Sequence, residues 1–393
     1  MRADPLDYLT GELNALREQG LYRRLRVLDG EQKARASVDH RSVVNLSSNN
    51  YLGLTTHPTL RARALEALNT LGVGTGSVRT IAGTMEIHME LERRLAVFKK
   101  TEAAVVFQSG FTANAGTVSS ILGRDDAIVS DELNHASIID GARLSRAAIK
   151  VFPHRDADAA RAVLEALPRG QRTLLITDGV FSMDGDLGAL PALCDLADEF
   201  GCIMMVDDAH ASGVFGEQGR GTVDHFQVHG RVDVQVGTLS KALGALGGYV
   251  AGTRALIDFL SHRARPFLFS TSHPPSVAAT CIAALEVLET EPQWMERLWD
   301  NTRFFKGGLQ ALGFDTGLSE SPITPVIVGE NALAMKLSDR LFQEGVFAQG
   351  IGFPTVPRGK ARVRTIVTAT HTKDELQFAL DSFRKVGTEL GII

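Results

Sequence analysis

The chain has 393 residues, of which 44% are hydrophobic and 22% charged, and its formal net charge is −5 at pH 7. This length and composition are typical of a globular protein with one large and one smaller domain. The acidic balance argues against a nucleic acid partner, no apolar run approaches the ~18 residues of a membrane span, and the charged amino terminus does not resemble a secretory signal, so we expect a cytoplasmic protein.

Leucines at near-helical spacing predict an amphipathic helix over residues 5–19, inside an amino-terminal helix and arm of residues 1–45. Short apolar runs then alternate with helical patterns. The runs are Ala103–Phe107, Ile149–Phe152, Thr173–Thr177, Cys202–Val206, Val232–Val236 and Gly248–Ala251. Continuous apolar strands are typical of a parallel sheet that helices cover on both faces. We therefore predict an α/β fold, with a large domain over residues 46–287 and a smaller one over residues 288–393.

Two glycine-containing segments have features of phosphate-binding loops. Ser109–Asn114 follows the first apolar run and opens a helix, and free N–H groups at such a helix start can bind a phosphate. Gly110 would let that phosphate approach the backbone closely. Gly72–Ser77 lacks the ending of a Walker motif and the last glycine of a dinucleotide fingerprint, so we interpret it as an ordinary loop near the site.

Polar side chains follow two of the apolar runs. Asp207 and His210 come after Cys202–Val206, and Lys241 comes after Val232–Val236. A buried lysine loses its proton readily and can hold a Schiff base. A carboxylate facing a pyridine nitrogen keeps that nitrogen protonated and makes the ring an electron sink. Although each residue alone is more often a solvated lysine or a helix cap, the combination indicates pyridoxal phosphate chemistry.

The same strand ends offer further candidates. His135 precedes a helical pattern, and an imidazole can stack on a heteroaromatic ring. Asp207, Asp208 and His210 also have ligand atoms for a metal. The segment lacks a second histidine or a cysteine at metal-site spacing, however, so we expect no metal there.

Two arginines lie close together in the predicted small domain. Arg362 and Arg364 flank one residue of a strand-like segment, and strand alternation places them on one face. A guanidinium is the natural partner of a substrate carboxylate. The alternative is a solvated edge strand.

With these residues in place, the chain resembles the α-oxoamine synthases, a family of fold-type I pyridoxal phosphate enzymes. The family includes glycine C-acetyltransferase, 8-amino-7-oxononanoate synthase, 5-aminolevulinate synthase and serine palmitoyltransferase. The resemblance runs from about residue 5 to the end and includes Asn49–Leu54, Ser77–Arg79, Leu133–Ser137, Asp178–Gly185, Thr238–Lys241 and Ala361–Arg364. It implies a fold-type I transferase fold, with a mostly parallel sheet sandwiched by helices and a smaller α/β carboxy-terminal domain.

The resemblance also implies pyridoxal 5′-phosphate as cofactor and a role for each matching residue. The implied cofactor contacts are the Schiff base at Lys241, the pyridine nitrogen at Asp207, ring stacking at His135, the phenolic oxygen at His210 and Ser182, and the phosphate at Gly110, Phe111 and Thr238. The implied substrate carboxylate contacts are Asn50 and Arg364, which we prefer to Arg362. Ser270 and Thr271 match residues that reach the phosphate of a neighbouring subunit, which implies a homodimer with active sites at its interface.

The implied reaction condenses glycine with an acyl-CoA to give an α-amino ketone and free CoA. Ile138–Leu144 and Arg265–Phe269 resemble glycine C-acetyltransferase (2-amino-3-ketobutyrate CoA ligase), whereas His210–Val214 and Gly216–Gly221 suit the 7-oxononanoate branch equally. We therefore predict the first activity, with the second as an additional one. The alternatives are a dedicated 8-amino-7-oxononanoate synthase of biotin biosynthesis, an aminotransferase or lyase of the same fold, and a non-catalytic pyridoxal phosphate-binding protein.

Overall fold

The computed structural model describes residues 4–18, 22 and 24–393. Its helices are α1 (Tyr8–Glu18), α2 (Pro58–Leu71), α3 (Glu86–Lys99), α4 (Gly110–Ile121), α5 (Ala136–Ser145), α6 (Ala157–Glu165), α7 (Leu190–Phe200), α8 (Thr222–His225), α9 (Arg254–Arg263), α10 (Arg265–Leu268), α11 (Pro275–Thr290), α12 (Gln293–Ala311), α13 (Asn331–Gln343) and α14 (Lys373–Glu389). Its strands are β1 (Arg35–Val38), β2 (Arg41–Asn45), β3 (Ala103–Phe107), β4 (Ala127–Asp131), β5 (Ala148–Phe152), β6 (Thr173–Asp178), β7 (Ile203–Asp207), β8 (Val234–Thr238), β9 (Gly248–Gly252), β10 (Ile323–Gly329), β11 (Val346–Phe347), β12 (Gln349–Ile351) and β13 (Ala361–Ile366).

The large sheet is mostly parallel, as predicted. Its strand order is β3-β9-β8-β7-β6-β4-β5, and only β9 runs antiparallel to its neighbours. All six predicted apolar runs form strands of this sheet, with ends shifted by two residues or fewer. Strand β4 was not predicted from the sequence, because it ends in the polar residues Ser130 and Asp131. Both residues are nevertheless buried, because β5 and β6 flank the strand.

Helices cover both faces of this sheet. In β3, Val105 and Phe107 belong to the core cluster that contains α4 and α9, whereas Ala104 and Val106 belong to the cluster that contains α3 and α11. This alternation follows from the period of two in a strand. A strand that is buried on both faces needs apolar residues at every position, which explains the continuous apolar runs.

The carboxy-terminal part of the chain forms its own antiparallel sheet, in the order β10-β13-β12. Strand β2 of the amino-terminal arm pairs with β1 and, in parallel, with β11. The arm is therefore attached to the carboxy-terminal part. We propose the domain division at residues 46 and 288, since α12 and α14 pack together beyond the second boundary.

The predicted amino-terminal helix forms over Tyr8–Glu18, and residue 19 of the prediction lies outside the described residues. None of its residues is buried, and Leu9, Leu13 and Leu16 are 42%, 42% and 38% exposed. Its apolar face therefore has no packing partner in the described part of the chain. Among the described residues, no helix combines the length and the hydropathy that crossing a bilayer requires.

Candidate active site

A cavity of about 200 Å³ lies where β3, β4, β6, β7 and β8 end. Its lining includes these predicted residues: Gly110, Phe111, His135, Ser182, Asp207, His210, Thr238 and Lys241. Ser109, Ser137, Asp178, Val180, Ala209 and Ser240 complete it. A larger surface hollow of about 580 Å³ beside α3 contains none of the predicted residues, so the chemistry and not the volume locates the site. The carboxyl ends of parallel strands are where α/β sheets bind ligands.

Lys241 follows β8 and its amine has an altered proton affinity. Burial lowers the pKa of Lys241 to about 8, against the attraction of the Asp207 and Asp178 carboxyls. Its Nζ has no hydrogen-bond partner among the described residues. An amine that loses its proton near neutral pH is suited to form a Schiff base and to accept a proton.

Asp207 ends β7 and is held by two donors. Asn114 Nδ2 donates to Oδ2 over 2.5 Å, and the amide of Ala209 donates to Oδ1 over 2.8 Å. The same Asn114 amide donates to Ser137 Oγ over 2.9 Å. The sequence analysis quoted Asn114 but gave it no role. It lies one helical turn after Gly110 in α4, and no local pattern indicates its contact, because Asp207 comes from β7.

His210 lines the cavity and its ring bonds to a tyrosine. Nδ1 of His210 is 2.7 Å from the Tyr51 hydroxyl, and both side chains are buried. Burial, with the positive charges of Lys241 and Arg364, holds the pKa of His210 well below its usual range. The imidazole is therefore neutral. Tyr51 belongs to a segment that the sequence analysis quoted without assigning the tyrosine a role.

His135 precedes α5 and caps that helix. Its Nδ1 is 2.7 Å from Ser137 Oγ and accepts from the Ser137 amide, which fixes the ring orientation. Its own main-chain N–H donates to Asp178 Oδ2 over 3.1 Å. The ring is exposed and lines the cavity. This geometry leaves one face of the imidazole available to a flat ligand.

The start of α4 provides an anion cradle. Ser109 Oγ accepts from the Thr112 amide as the helix cap, whereas the amides of Gly110 and Phe111 have no acceptor in the part of the chain that the structure describes. Thr238 Oγ1 closes the opposite side, bonded to Ser240 Oγ and to the Gly247 carbonyl, each at 2.8 Å. Free amides at a helix start fit a phosphate group.

The two arginines of β13 have different partners. Arg362 Nη1 donates to the Asp184 carboxylate over 2.5 Å and is buried, so its charge is already matched. Arg364 Nη1 donates to the Ser182 carbonyl over 2.9 Å, and its guanidinium has no carboxylate partner among the described residues. Of the two arginines, Arg364 is therefore the one whose positive charge can bind an anionic ligand.

Four predicted residues do not line the cavity, namely Asn50, Arg364, Ser270 and Thr271. Arg364 borders it through the Ser182 carbonyl. Asn50 is buried and donates to Thr55 Oγ1 over 2.7 Å. Thr271 is exposed, and its carbonyl accepts from Gln108. Ser270 and Thr271 thus lie outside the cavity of their own chain.

A partly buried histidine, His154, secures the loop that carries Ser182. His154 Nδ1 bonds to Asp131 Oδ1 over 3.0 Å, and its Nε2 bonds to Asp186 Oδ2 over 2.9 Å. Burial alone would lower the pKa of His154, but these two carboxylates raise it to about 9. The protonated ring ties the end of β4 to the loop after β6, and its edge packs on Phe181.

Asp208, which the sequence analysis weighed as a metal ligand, turns away from the cavity. It pairs with Lys99 Nζ over 2.9 Å and accepts from the Thr222 amide, and all three side chains are fully or nearly buried. Over the described ranges, no three His, Cys, Asp or Glu side chains gather as metal ligands.

The comparisons with known proteins agree with this geometry. The family described as aminotransferase class I and II matches residues 41–383. The 8-amino-7-oxononanoate synthase of Symbiobacterium thermophilum is 62% identical over 388 residues, which cover 98% of this chain and 99% of that protein. The 8-amino-7-oxononanoate synthase 1 of Bacillus subtilis is 54% identical over 387 residues, which cover 98% and 99%.

A solved structure of serine palmitoyltransferase from S. paucimobilis, with bound pyridoxal phosphate and myriocin, has a TM-score of 0.94 to this chain. It is 32% identical and covers 99% of this chain and 100% of its own. The cofactor of this chain is therefore pyridoxal phosphate, and Lys241, Asp207 and the helix-start amides offer groups that fit it. The chain belongs to the α-oxoamine synthases, the fold-type I pyridoxal phosphate family to which its motifs point.

Proposed function

We propose that the chain is an 8-amino-7-oxononanoate synthase, the alternative considered beside glycine C-acetyltransferase. The observation that carries the proposal is the 62% identity, over 98% of the chain, to a synthase of that name. That product has a carbonyl at carbon 7, an amine at carbon 8 and a methyl group at carbon 9. A seven-carbon dicarboxylic acyl thioester and alanine supply these atoms, with loss of the alanine carboxylate as carbon dioxide and release of the thiol. Glycine has no methyl group to become carbon 9, so the name favours alanine.

The roles of the residues follow from their contacts. Bound pyridoxal phosphate supplies a ring that withdraws electrons from the α-carbon of the amino acid. Lys241, whose pKa lies near 8, holds the cofactor and accepts the α-proton at Nζ. Asp207, fixed by Asn114, holds a proton on the pyridine nitrogen. His135 stacks on the ring in this proposal.

The remaining residues bind and orient. His210 and Ser182 contact the phenolic oxygen, and the amides of Gly110 and Phe111 with Thr238 bind the phosphate. Arg364, which faces no protein carboxylate in the described chain, binds the carboxylate of the amino acid. Asn50, which donates to Thr55 Oγ1, is the second contact to this carboxylate in the proposal. Binding this carboxylate orients the α-C–H bond, and correct orientation of the reacting groups contributes much of an enzyme's rate acceleration.

The substrates can be tested by measuring free thiol from a panel of acyl-CoA thioesters with alanine or glycine. We expect alanine with the seven-carbon dicarboxylic acyl-CoA to give the highest kcat/KM. Shorter chains should react less well, because each methylene in an apolar pocket contributes about 1–3 kcal/mol to discrimination. Reactions without amino acid are the control. Faster turnover of glycine with acetyl-CoA would show that the chain is a glycine C-acetyltransferase instead.

Replacing the two arginines should separate their roles. Arg364→Ala should raise the KM for the amino acid about 10–100-fold, since a charge-assisted hydrogen bond is worth about 1.5–3 kcal/mol, and should leave cofactor binding intact. Arg362→Ala should instead lower the free energy of unfolding by at most about 3 kcal/mol, because it leaves the partly exposed Asp184 without its ion-pair partner. Steady-state kinetics and denaturant unfolding measure both. A larger rise in KM from Arg362→Ala would reverse the assignment.

We also propose that the active form is a homodimer in which Ser270 and Thr271 reach the partner's phosphate. The exposure of Thr271 outside its own cavity and the 69% exposed Phe269 beside it support this arrangement. The exposed apolar face of α1 supports it too.

Mixing two inactive variants tests the shared site. Thr271→Asp should repel the partner's phosphate, and Lys241→Ala lacks the Schiff-base amine. Hybrid dimers contain one site with both native residues, so refolding the two variants together should restore partial activity. Each variant alone is the control. A fully active monomer in sedimentation at assay concentrations would contradict the proposal.

An aminotransferase or lyase of the same fold remains the second class of activity. It would share Lys241 and Asp207 but would not release thiol from any thioester in the panel. A cytoplasmic location stays a prediction.

A further inference from the structure

A second carboxyl group lies beside Asp207. Asp178 ends β6, and it is the direct partner of Asp207 in the parallel ladder between β6 and β7. Both are buried, at 4% and 5% exposure, and both line the cavity. When two carboxyl groups lie on neighbouring strands in a buried site, ionising both requires a large electrostatic free energy.

The two carboxyls receive different numbers of hydrogen bonds from the protein. Asp207 accepts from Asn114 Nδ2 and from the Ala209 amide, one donor for each oxygen. Asp178 Oδ2 accepts from the His135 amide, but Oδ1 is buried without a hydrogen-bond partner among the described residues. An ionised oxygen with no donor costs much more to bury than a neutral hydroxyl, so the proton is favoured on this oxygen.

We propose that the pair holds a single proton on Oδ1 of Asp178, which makes Asp178 neutral and leaves Asp207 as the only anion of the two. The inference concerns the cofactor site alone and does not depend on which amino acid or thioester is used. It gives Asp178 two functions. It limits the negative charge of the two carboxyls to one unit, and it holds the backbone of His135 in place.

The charged groups around Asp178 favour this distribution. Burial, and then the negative charge of Asp207, raise the pKa of Asp178 well above its usual range, and Asp131 adds to the shift. Lys241 and the His135 amide oppose it. Of these neighbours, Asp131 is already paired with the protonated ring of His154.

The proton can be located by titrating the visible absorbance of the bound cofactor in the holoenzyme. Its pH midpoint reports the proton on the Lys241 nitrogen, which nearby charge controls. Asp178→Asn replaces a protonated carboxyl by a neutral group with the same donor and acceptor, so the midpoint should not move. If Asp178 is ionised in the native enzyme, the same change removes a negative charge and the midpoint should fall by about one unit or more.

Asp178→Ala is the matched variant, since it is equally neutral but removes the acceptor of the His135 amide. It should keep the midpoint and weaken the visible circular dichroism of the bound cofactor, whereas Asp178→Asn should retain that signal. Equal signals in both variants would overturn the positioning role. Infrared spectra of the wild-type holoenzyme need no variant, and they should contain the C=O stretch of a protonated carboxylic acid at neutral pH. Its absence would contradict the proposal.

Discussion

Replacing Lys241 by alanine should abolish turnover and the visible absorbance of the covalently bound cofactor. The substitution removes the amine that forms the Schiff base and, in the same atom, the group that moves the α-proton. Loss of proton transfer alone costs about 10²–10⁴-fold in rate. Because Lys241 Nζ bonds to none of the described residues, the fold should tolerate the change. Absorbance spectra, thiol release and thermal unfolding measure the three consequences.

Lys360→Ala is the matched control, since Lys360 is exposed on the loop between β12 and β13. It should retain both absorbance and activity. Borohydride reduction of the wild-type holoenzyme followed by peptide mapping identifies the attached lysine directly. Labelling of any lysine other than Lys241 would refute the assignment.

Asp207→Asn should retain some cofactor but lose most of the exchange of the α-proton of the amino acid with solvent. The side-chain carbonyl of the new asparagine can still accept from the Ala209 amide, but its NH2 group cannot accept from Asn114, so one of the two contacts is lost. The asparagine does not provide the negative charge that keeps the pyridine nitrogen protonated, and charge-assisted contacts of this kind are worth about 1.5–3 kcal/mol. Cofactor affinity should therefore fall about 10–100-fold, and exchange should fall further because the charge acts on the reacting state.

Proton exchange is measured by NMR in deuterated buffer at saturating cofactor, which separates chemistry from binding. Asp207→Glu keeps the negative charge but moves it by the length of one methylene group. Its exchange rate should therefore lie between those of Asp207→Asn and the wild type. Exchange in Asp207→Asn at the wild-type rate would show that this carboxylate does not activate the ring.

The sequence predicted the central sheet well because its strands are buried on both faces and therefore read as continuous apolar runs. Strand β4 is the exception. Its last two residues, Ser130 and Asp131, are polar, and Asp131 is buried between β5 and β6 with its carboxylate bonded to His154, 23 residues along the chain. The short strands β1, β11 and β12 were missed for a related reason. Strand β11 pairs with β2 near the other end of the chain, which no local pattern records, whereas β1 and β12 pair with the neighbouring strands β2 and β13 but have only four and three residues.

Most predicted cofactor contacts meet in one cavity, whereas their supporting residues could not be read from the sequence. Asn114, Tyr51 and Asp178 belong to quoted segments, yet their roles depend on contacts with Asp207, His210 and His135 across the fold. The choice between Arg362 and Arg364 likewise depended on the position of Asp184. The acyl substrate was not predictable, because some segments resemble glycine C-acetyltransferase whereas others suit 8-amino-7-oxononanoate synthase equally well.

The most direct test of the proposed function is mass spectrometry of the product formed from the seven-carbon dicarboxylic acyl-CoA and alanine labelled in its carboxyl carbon. The account predicts 8-amino-7-oxononanoate without the label, with one labelled carbon dioxide and one free thiol for each molecule formed. A product that retains the labelled carboxyl, or a keto acid formed from alanine without thiol release, would contradict it.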